Sequence, residues 1–318
     1  MVSSKDTFTL KTNSKLKMKI NLIIILTLFS AWKSFGQQEA HFTQFTDNQL
    51  FVNPAYAGSN GSLNATAIHR EQWVGFKGSP STSTFSFHSP LNYETVGLGM
   101  TVVNDQIGPL SQNMIYSDFS YSLKFSNQSR LSFGIKAGIN VISLNASTLN
   151  TTEENDPNLA KDIRNQVNPN IGFGMYYRSK NWFIGASSPK LFENSYDGTS
   201  LNLEKRHFFM NTGGIFTLNP TWKFRPVAQV KMTEGAPLSL DLSFTGIYKE
   251  SIYIGAIYRF NAATGVLVQF QVAPALRVGI ATELGLTDIR KYNDGTYEVM
   301  LSYDIARKKS GIKSPRYF

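Results

Sequence analysis

The chain has 318 residues, of which 17% are charged and 13% aromatic, and it contains no cysteine. Without cysteine it can form no disulfide, bind no cysteine-ligated metal and carry no lipid on an amino-terminal cysteine. The formal charge of +9 does not indicate nucleic-acid binding, because the basic excess lies in residues 1–36 and 305–318 and not on one face of a domain.

Residues 1–36 have the features of a secretory signal peptide. Three lysines precede the apolar run 22–29, and Ser34 and Gly36 supply the small residues of a cleavage site. The alternative is an amino-terminal anchor helix, but the run is too short to span a bilayer. We expect export with cleavage after Gly36, and Met18 offers a second translation start.

Residues 37–61 precede the first predicted strand and contain the stretch Asn53-Pro-Ala-Tyr-Ala-Gly58. This stretch is rich in turn formers and lacks strand alternation, and Pro54 restricts Asn53 to extended conformations. We expect 37–61 to form a periplasmic or plug-like segment. A turn leading into the first strand, with Tyr56 packed on the barrel rim, is the alternative.

Residues 62–304 read as strands, because side chains alternate between apolar and polar with a period of two. The fourteen predicted strands lie near 62–72, 81–89, 95–104, 113–125, 130–142, 169–178, 181–188, 206–217, 221–231, 238–248, 251–260, 264–272, 276–286 and 296–304. In the fourth strand Tyr121, Leu123 and Phe125 are expected to face lipid. The expected polar, lumen-facing set is Asn113, Asp118, Ser120, Ser122 and Lys124.

The connections favour a membrane barrel over a soluble fold. Those after even-numbered strands are short, whereas those after odd-numbered strands are longer or richer in Gly and Pro. Outer-membrane barrels have tight periplasmic turns and long outer loops, and an even strand count leaves both termini in the periplasm. The predicted fold class is all-β, an antiparallel outer-membrane β-barrel of about 14 strands. A secreted β-sandwich or a soluble propeller is the alternative.

Aromatic residues gather beside the short turns. Trp182 and Trp222 follow such turns, and the pairs Tyr176-Tyr177 and Tyr248 with Tyr253 flank them. Aromatic rings at one rim are typical of an interfacial girdle.

Two further stretches are candidate partner-binding or lumen-closing sites. Arg70, Gln72 and Trp73 lie at the upper end of the first strand, where a lumen-facing Arg would pair with carboxylates and hold a plug, or would contact a partner. Residues 305–318 form a basic tail, expected in the periplasm, which ends in Phe318 and suits a plug or a docking peptide.

An enzyme is not expected. The four histidines are His41, His69, His88 and His207, and only His69 and His88 are candidates to face each other, with Ser86 and Ser89 close to His88. No nucleophile elbow or zinc-protease helix motif is present. The acidic run at 153–156 lacks the glycine of a calcium loop. We therefore predict no catalytic, cofactor or metal site.

Three stretches resemble the PorP/SprF family: Asn53 to Gly58, Arg70-Glu-Gln-Trp73 with Gly75 and Gly78-Ser-Pro80, and Ser314-Pro-Arg-Tyr-Phe318. The resemblance implies an outer-membrane barrel of the type IX secretion system of Bacteroidetes bacteria. It also implies association with periplasmic ring and motor components. Several members serve large surface proteins, including gliding adhesins, that carry a C-terminal sorting domain.

The resulting prediction is a non-enzymatic secretion component in the outer membrane, contacting lipid, ring and motor components and a sorting domain, with no cofactor and no nucleic acid. The alternative is a passive outer-membrane channel. The candidate partner-binding or lumen-closing residues are Asn53, Pro54, Tyr56, Gly58, Arg70, Gln72, Trp73, Ser314, Pro315, Arg316, Tyr317 and Phe318.

Overall fold

A computed structural model of the chain describes residues 41–91, 95–125, 129–148, 162–194 and 205–305. The chain divides into two compact units. One comprises Met1–Gln37 and Gly235–Pro237, of which only Gly235–Pro237 is described. The other comprises Gln38–Glu234 and Leu238–Phe318, and it contains the whole sheet.

The described residues of the larger unit form one antiparallel sheet. Its strands are β1 (Leu63–Glu71), β2 (Ser81–Pro90), β3 (Val96–Ile107), β4 (Leu110–Lys124), β5 (Arg130–Leu144), β6 (Ile163–Arg178), β7 (Trp182–Ser188), β8 (His207–Gly214), β9 (Phe216–Thr217), β10 (Trp222–Thr233), β11 (Ser239–Tyr248), β12 (Ile252–Arg259), β13 (Ala263–Ala273), β14 (Leu276–Gly285) and β15 (Thr296–Ile305). Only Ile215 separates β8 from β9, and both pair with β10, so together they make one wall strand.

The sheet closes into a barrel of fourteen wall strands. Each strand pairs with its neighbours along the chain, and β1 pairs with β15 from Leu63↔Ile305 to Glu71↔Tyr297. Closure removes the free edges that would otherwise template aggregation. The predicted fold class and strand count are confirmed. Strand β6 begins at Ile163 instead of 169, because the longer β5 provides partners for the preceding polar residues across a bulge at Ile142/Leu144.

The two faces of the wall differ in the way the alternation predicts. Tyr121, Leu123 and Phe125 point outward with 43–49% of their surface exposed, whereas Asp118 and Ser120 point inward and are buried. The assignment of Asn113 is wrong, because it shares the outward face of Ile115, two residues away. Lys124 has the parity of the inward face and is exposed at the strand end.

The exterior carries apolar side chains on every wall strand. Typical outward residues are Ile135, Phe173, Ile254 and Val299, each at least 44% exposed. Exposing so large a contiguous apolar surface to water is unfavourable, whereas the hydrocarbon core of a bilayer solvates it. No helix within the described ranges has the length and apolar character needed to cross a membrane.

The barrel has two unlike ends. At the turn end, the short connections 179–181, 218–221, 249–251 and 274–275 join neighbouring strands. At the loop end lie the longer connections 72–80, 145–162, 189–206 and 286–295. The connection 108–109 is short but consists of Gly and Pro, as the prediction allows, and the φ of 55° at Gly108 permits a two-residue hairpin. The predicted alternation fails at the loop-end connection 260–262, which is short and contains neither Gly nor Pro.

The aromatic girdle at the turn end is confirmed in part. On the exterior, the rings of Tyr177 and Trp182 lie 5.1 Å apart, and those of Trp222 and Tyr248 lie 5.0 Å apart. Tyr176 and Tyr253 do not belong to it. Each is one residue out of phase with the outward positions and is buried inside the barrel.

Candidate functional site

Residues 41–61 lie inside the barrel, and we call them the lumen segment. It contains two 3-10 turns (Phe45–Asp47 and Pro54–Tyr56) and one helical turn, α1 (Gln49–Val52). Almost all of its side chains from Phe42 to Ala57 are buried, although none belongs to the wall. Their surroundings are the inward faces of the strands, so the segment and the wall form one core.

Apolar contacts fill the centre of the lumen. The rings of Phe42 and Phe51 meet edge to face at 5.3 Å, and Tyr56 meets Tyr176 in the same way at 5.4 Å. A cavity of about 10 Å³ lies between Phe51 and Lys136. That volume is about the room of one water molecule.

The stretch Asn53 to Gly58 is seated on glycines of the wall. A Cβ added to Gly134 of β5 would lie within 3.0 Å of backbone atoms of Pro54 and Ala55. A Cβ on Gly97 of β3 would meet the Ala57 carbonyl in the same way. Glycine inside a strand weakens the strand, and it is typical of places where another backbone approaches closely. We call Gly97, Gly134 and Gly174 the glycine seat.

Asn53 joins the lumen segment to the seat. Its Oδ1 accepts a hydrogen bond from the N–H of Ala55 at 3.0 Å, which caps the 3-10 turn. Its Nδ2 donates to the Met175 carbonyl on β6 at 3.0 Å. The side chain is fully buried, and a Cβ on Gly174 would collide with it. An Asn is needed here because it supplies one acceptor and one donor at the same place.

Gly58 ends the seated stretch. Its φ of 70° is a conformation that residues with a Cβ rarely adopt. Its N–H donates to Nδ1 of His88 at 3.1 Å, and the preceding Ala57 carbonyl accepts a bond from the Ser120 hydroxyl at 2.7 Å.

Buried charges fix the segment near the loop end. Arg70 of β1 contacts Glu298 at 2.5 Å and Glu283 at 2.8 Å, and it donates to the Thr43 hydroxyl at 3.0 Å. The Thr43 N–H also donates to Glu298, and Arg259 bonds Glu283 at 3.2 Å. We call these five residues the loop-end cluster. It ties the lumen segment to four wall strands, β1, β12, β14 and β15, by charged hydrogen bonds in a buried site.

A second buried cluster lies near the turn end. Asp47 accepts from Arg225 at 3.3 Å, from Arg277 at 3.0 Å and from the Gln269 amide at 2.8 Å. Both guanidinium groups contact Oδ1 and the Gln269 amide contacts Oδ2, so each oxygen of the buried carboxyl has a donor. We call these four residues the turn-end cluster.

His41 lies at the amino end of the described segment. Its Nε2 is 3.1 Å from Lys231 Nζ, and its Nδ1 is 3.7 Å from Asp241. In the neutral tautomer with the proton on Nδ1, Nε2 accepts a hydrogen bond from the Lys231 ammonium.

The candidate residues from the sequence fall into three groups. Asn53, Pro54, Tyr56 and Gly58 lie together in the lumen near the turn end, where Tyr56 is buried against Tyr176, and Arg70 lies in the loop-end cluster. Gln72 and Trp73 are half-buried in the 72–80 connection and do not join that cluster; Trp73 has a φ of 54°, and its N–H donates to Thr296. Residues 314–318 lie outside the described part of the chain.

Most of the wall residues that hold the segment are not among those predicted from the sequence. Glu283, Glu298, Arg225 and Arg277 are inward-facing charges on strands, and the glycine seat is a set of strand glycines. Both signals are present in the sequence. An ionisable residue at an inward position calls for a buried partner, and a strand glycine calls for a close neighbour.

The expected juxtaposition of His69 and His88 is wrong. His69 is opposite Ser83 and points outward, whereas His88 is opposite Asn64 and points inward. The five-residue difference in register puts them at different ends of the β1–β2 pair. Ser86 donates to Asn48 of the lumen segment. The acidic run at 153–156 lies outside the described residues.

Solved structures similar to this chain include three outer-membrane or channel proteins. Omp33 of Acinetobacter baumannii is 10% identical with a TM-score of 0.47, and the match covers 78% of this chain and 100% of that one. A deletion mutant of the monoaromatic hydrocarbon channel TodX is 11% identical with a TM-score of 0.46, covering 85% and 96%. The KdgM porin is 11% identical with a TM-score of 0.38, covering 76% and 99%. No curated protein matches the chain.

The family described as type IX secretion system membrane protein PorP/SprF matches residues 34–303. The matched range includes the lumen segment and almost the whole barrel. The exterior of that barrel is apolar, as a bilayer requires. The chain is an outer-membrane β-barrel protein, and it belongs to the PorP/SprF family of type IX secretion system membrane proteins.

Proposed function

We propose that this protein is a non-enzymatic accessory of type IX secretion that supports the export or surface anchoring of large proteins with a C-terminal sorting domain, such as gliding adhesins. Family membership supports the role in secretion. The family and the barrel fold are both of non-enzymatic kinds, which supports a role without catalysis. The lumen segment is the observation that distinguishes an accessory from an open channel.

A passive channel needs a continuous aqueous path through the lumen that its wall strands enclose. Here the path is crossed by a segment that hydrogen-bonds the wall near both ends and packs on a glycine seat on the turn-end side. A fourteen-stranded barrel is wide enough to conduct when it is empty. A lumen closed in this way favours a protein that acts through its ends and its exterior.

The partners follow from this arrangement. Lipid covers the apolar exterior, and the periplasmic ring and motor components meet the turn end, where the basic tail ending in Ser314–Phe318 serves as a docking peptide. The sorting domain of the exported protein meets the barrel on one of its two ends. Export by the signal peptide 1–36 precedes all of these contacts. No cofactor and no nucleic acid takes part.

The test compares the surface and periplasmic proteomes of a deletion strain with those of its parent. We expect one or a few large sorting-domain proteins to disappear from the surface and accumulate inside the cell. A strain that produces the protein without Ser314–Phe318 should insert the barrel normally and still lose that display. An unchanged surface proteome in the deletion strain would contradict the proposal and favour the passive channel.

A second readout separates the two functions. Conductance of the purified protein in a planar bilayer should be low for an accessory with a closed lumen. A steady open conductance of the unaltered protein would support the channel.

A further inference from the structure

The lumen segment has a direction, and its contacts show which end is which. His41 contacts Lys231 and Asp241, which lie two residues from the ends of β10 and β11 at the 234–238 connection. Thr43 contacts Glu283 and Glu298, which flank the 286–295 connection. The amino end of the segment is therefore at the loop end.

The carboxyl end of the segment is at the other mouth of the barrel. Asn53 bonds Met175, close to the 179–181 turn, and Ala57 bonds Ser120, near the end of β4. The chain then enters β1 at Leu63, opposite Ile305, the last residue of β15. Between Thr43 and Gly58 the segment therefore runs through the lumen from the loop end to the turn end.

We propose that the lumen segment is threaded outward, so that its amino end at His41 faces the cell surface through the loop end of the barrel. In outer-membrane barrels the tight turns face the periplasm and the long connections face outside. A segment that came in from the periplasm would place residues 41–43 at the turn end. The contacts place them at the opposite end.

This direction decides from which side the segment can be reached. A partner outside the cell can approach the His41 end of the segment and act on Thr43 and the loop-end cluster. A periplasmic partner meets only the Asn53–Gly61 end, which is covalently continuous with β1. The surface partner would be an exported polypeptide, because secretion delivers polypeptide chains to that side. The identity of that partner depends on the proposed function, but the threading itself does not.

The absence of cysteine from the sequence allows a direct test. Single cysteines are introduced at Glu39 (E39C), at Lys77 in the loop-end connection 72–80 (K77C), and at Lys180 in the turn 179–181 (K180C). Lys77 and Lys180 are both exposed, so they are matched controls for the two sides. Intact cells are treated with a membrane-impermeant maleimide, and the labelled fraction of the purified protein is measured before and after the outer membrane is permeabilised.

We expect E39C to be labelled in intact cells to at least half the extent of K77C, while K180C is labelled only after permeabilisation. Labelling of E39C only after permeabilisation, or not at all under either condition, would overturn the threading. Labelling of K180C instead of K77C in intact cells would overturn the surface location. Heat-modifiable migration on gels confirms that each variant is folded, and Q38C replaces E39C if that variant fails this check. Cargo display, measured in the same strains, reports separately on the proposed function.

Discussion

Replacing Gly134 with alanine should dislodge the lumen segment while leaving the wall intact. A Cβ at this position would lie within 3.0 Å of the backbone N of Ala55, the backbone C of Pro54 and the Cα of Ala55. Backbone atoms cannot rotate away as the end of a side chain can. Alanine is also a better strand residue than glycine, so the wall itself loses nothing.

The size of the effect follows from the cost of overpacking. Forcing an extra methyl group into a well-packed site costs about 1–3 kcal/mol. If that cost falls on the seated state alone, the ratio of displaced to seated molecules rises about 5- to 150-fold. The loop-end and turn-end clusters remain, so we expect intermittent opening and not permanent loss of the segment.

Single-molecule conductance in planar bilayers measures this ratio directly. Gly134→Ala should be open about 5- to 150-fold more of the time than the unaltered protein. Gly285→Ala is the matched control, because its new methyl group would have no neighbour closer than 3.9 Å. If Gly134→Ala conducts like Gly285→Ala while both show heat-modifiable migration, the glycine seat does not hold the segment in the lumen.

Three further variants probe the other attachments. Arg70→Met leaves two carboxylates buried without their main partner and should lower the free energy of unfolding in urea by about 3–5 kcal/mol. The control Lys291→Met removes an exposed ion pair and should lower it by less than about 1 kcal/mol. Asn53→Ala removes an acceptor and a donor from a fully buried place and should cost about 1–3 kcal/mol in the same titration; an unchanged midpoint would contradict the hydrogen bonds assigned to Asn53. Asp47→Asn removes the negative charge that Arg225 and Arg277 share and should raise conductance at neutral pH; conductance equal to that of the unaltered protein would argue against the turn-end cluster as a latch.

The sequence predicts the barrel well because period-two alternation is local. Each of the fourteen wall strands can be read within its own stretch, and the faces of 121, 123 and 125 follow from parity alone. Errors arise where parity does not decide. Tyr176 and Tyr253 resemble girdle residues because they lie near turns and other tyrosines, although they point inward. The predicted β6 is too short because its first residues are polar, and only the length of β5 gives them partners.

The inner site is harder to predict because its contacts join distant parts of the chain. Thr43 and Glu298 are 255 residues apart, and Asn53 and Met175 are 122 apart. Arg70 can be identified in advance as a lumen arginine that needs a carboxylate. Which carboxylate it finds depends on how strands β1, β14 and β15 align, and that register is a property of the closed sheet.

The position of the lumen segment in the chain has a consequence for biogenesis. The segment precedes every strand, so it is synthesised before any part of the wall. Its cluster at the loop end bonds Arg70 of β1 and Glu298 of β15, the two strands whose pairing completes the cylinder. Because Thr43 bonds residues of both strands, the seam that closes the barrel includes a residue of the lumen segment, and formation of the wall and packing of its core are coupled.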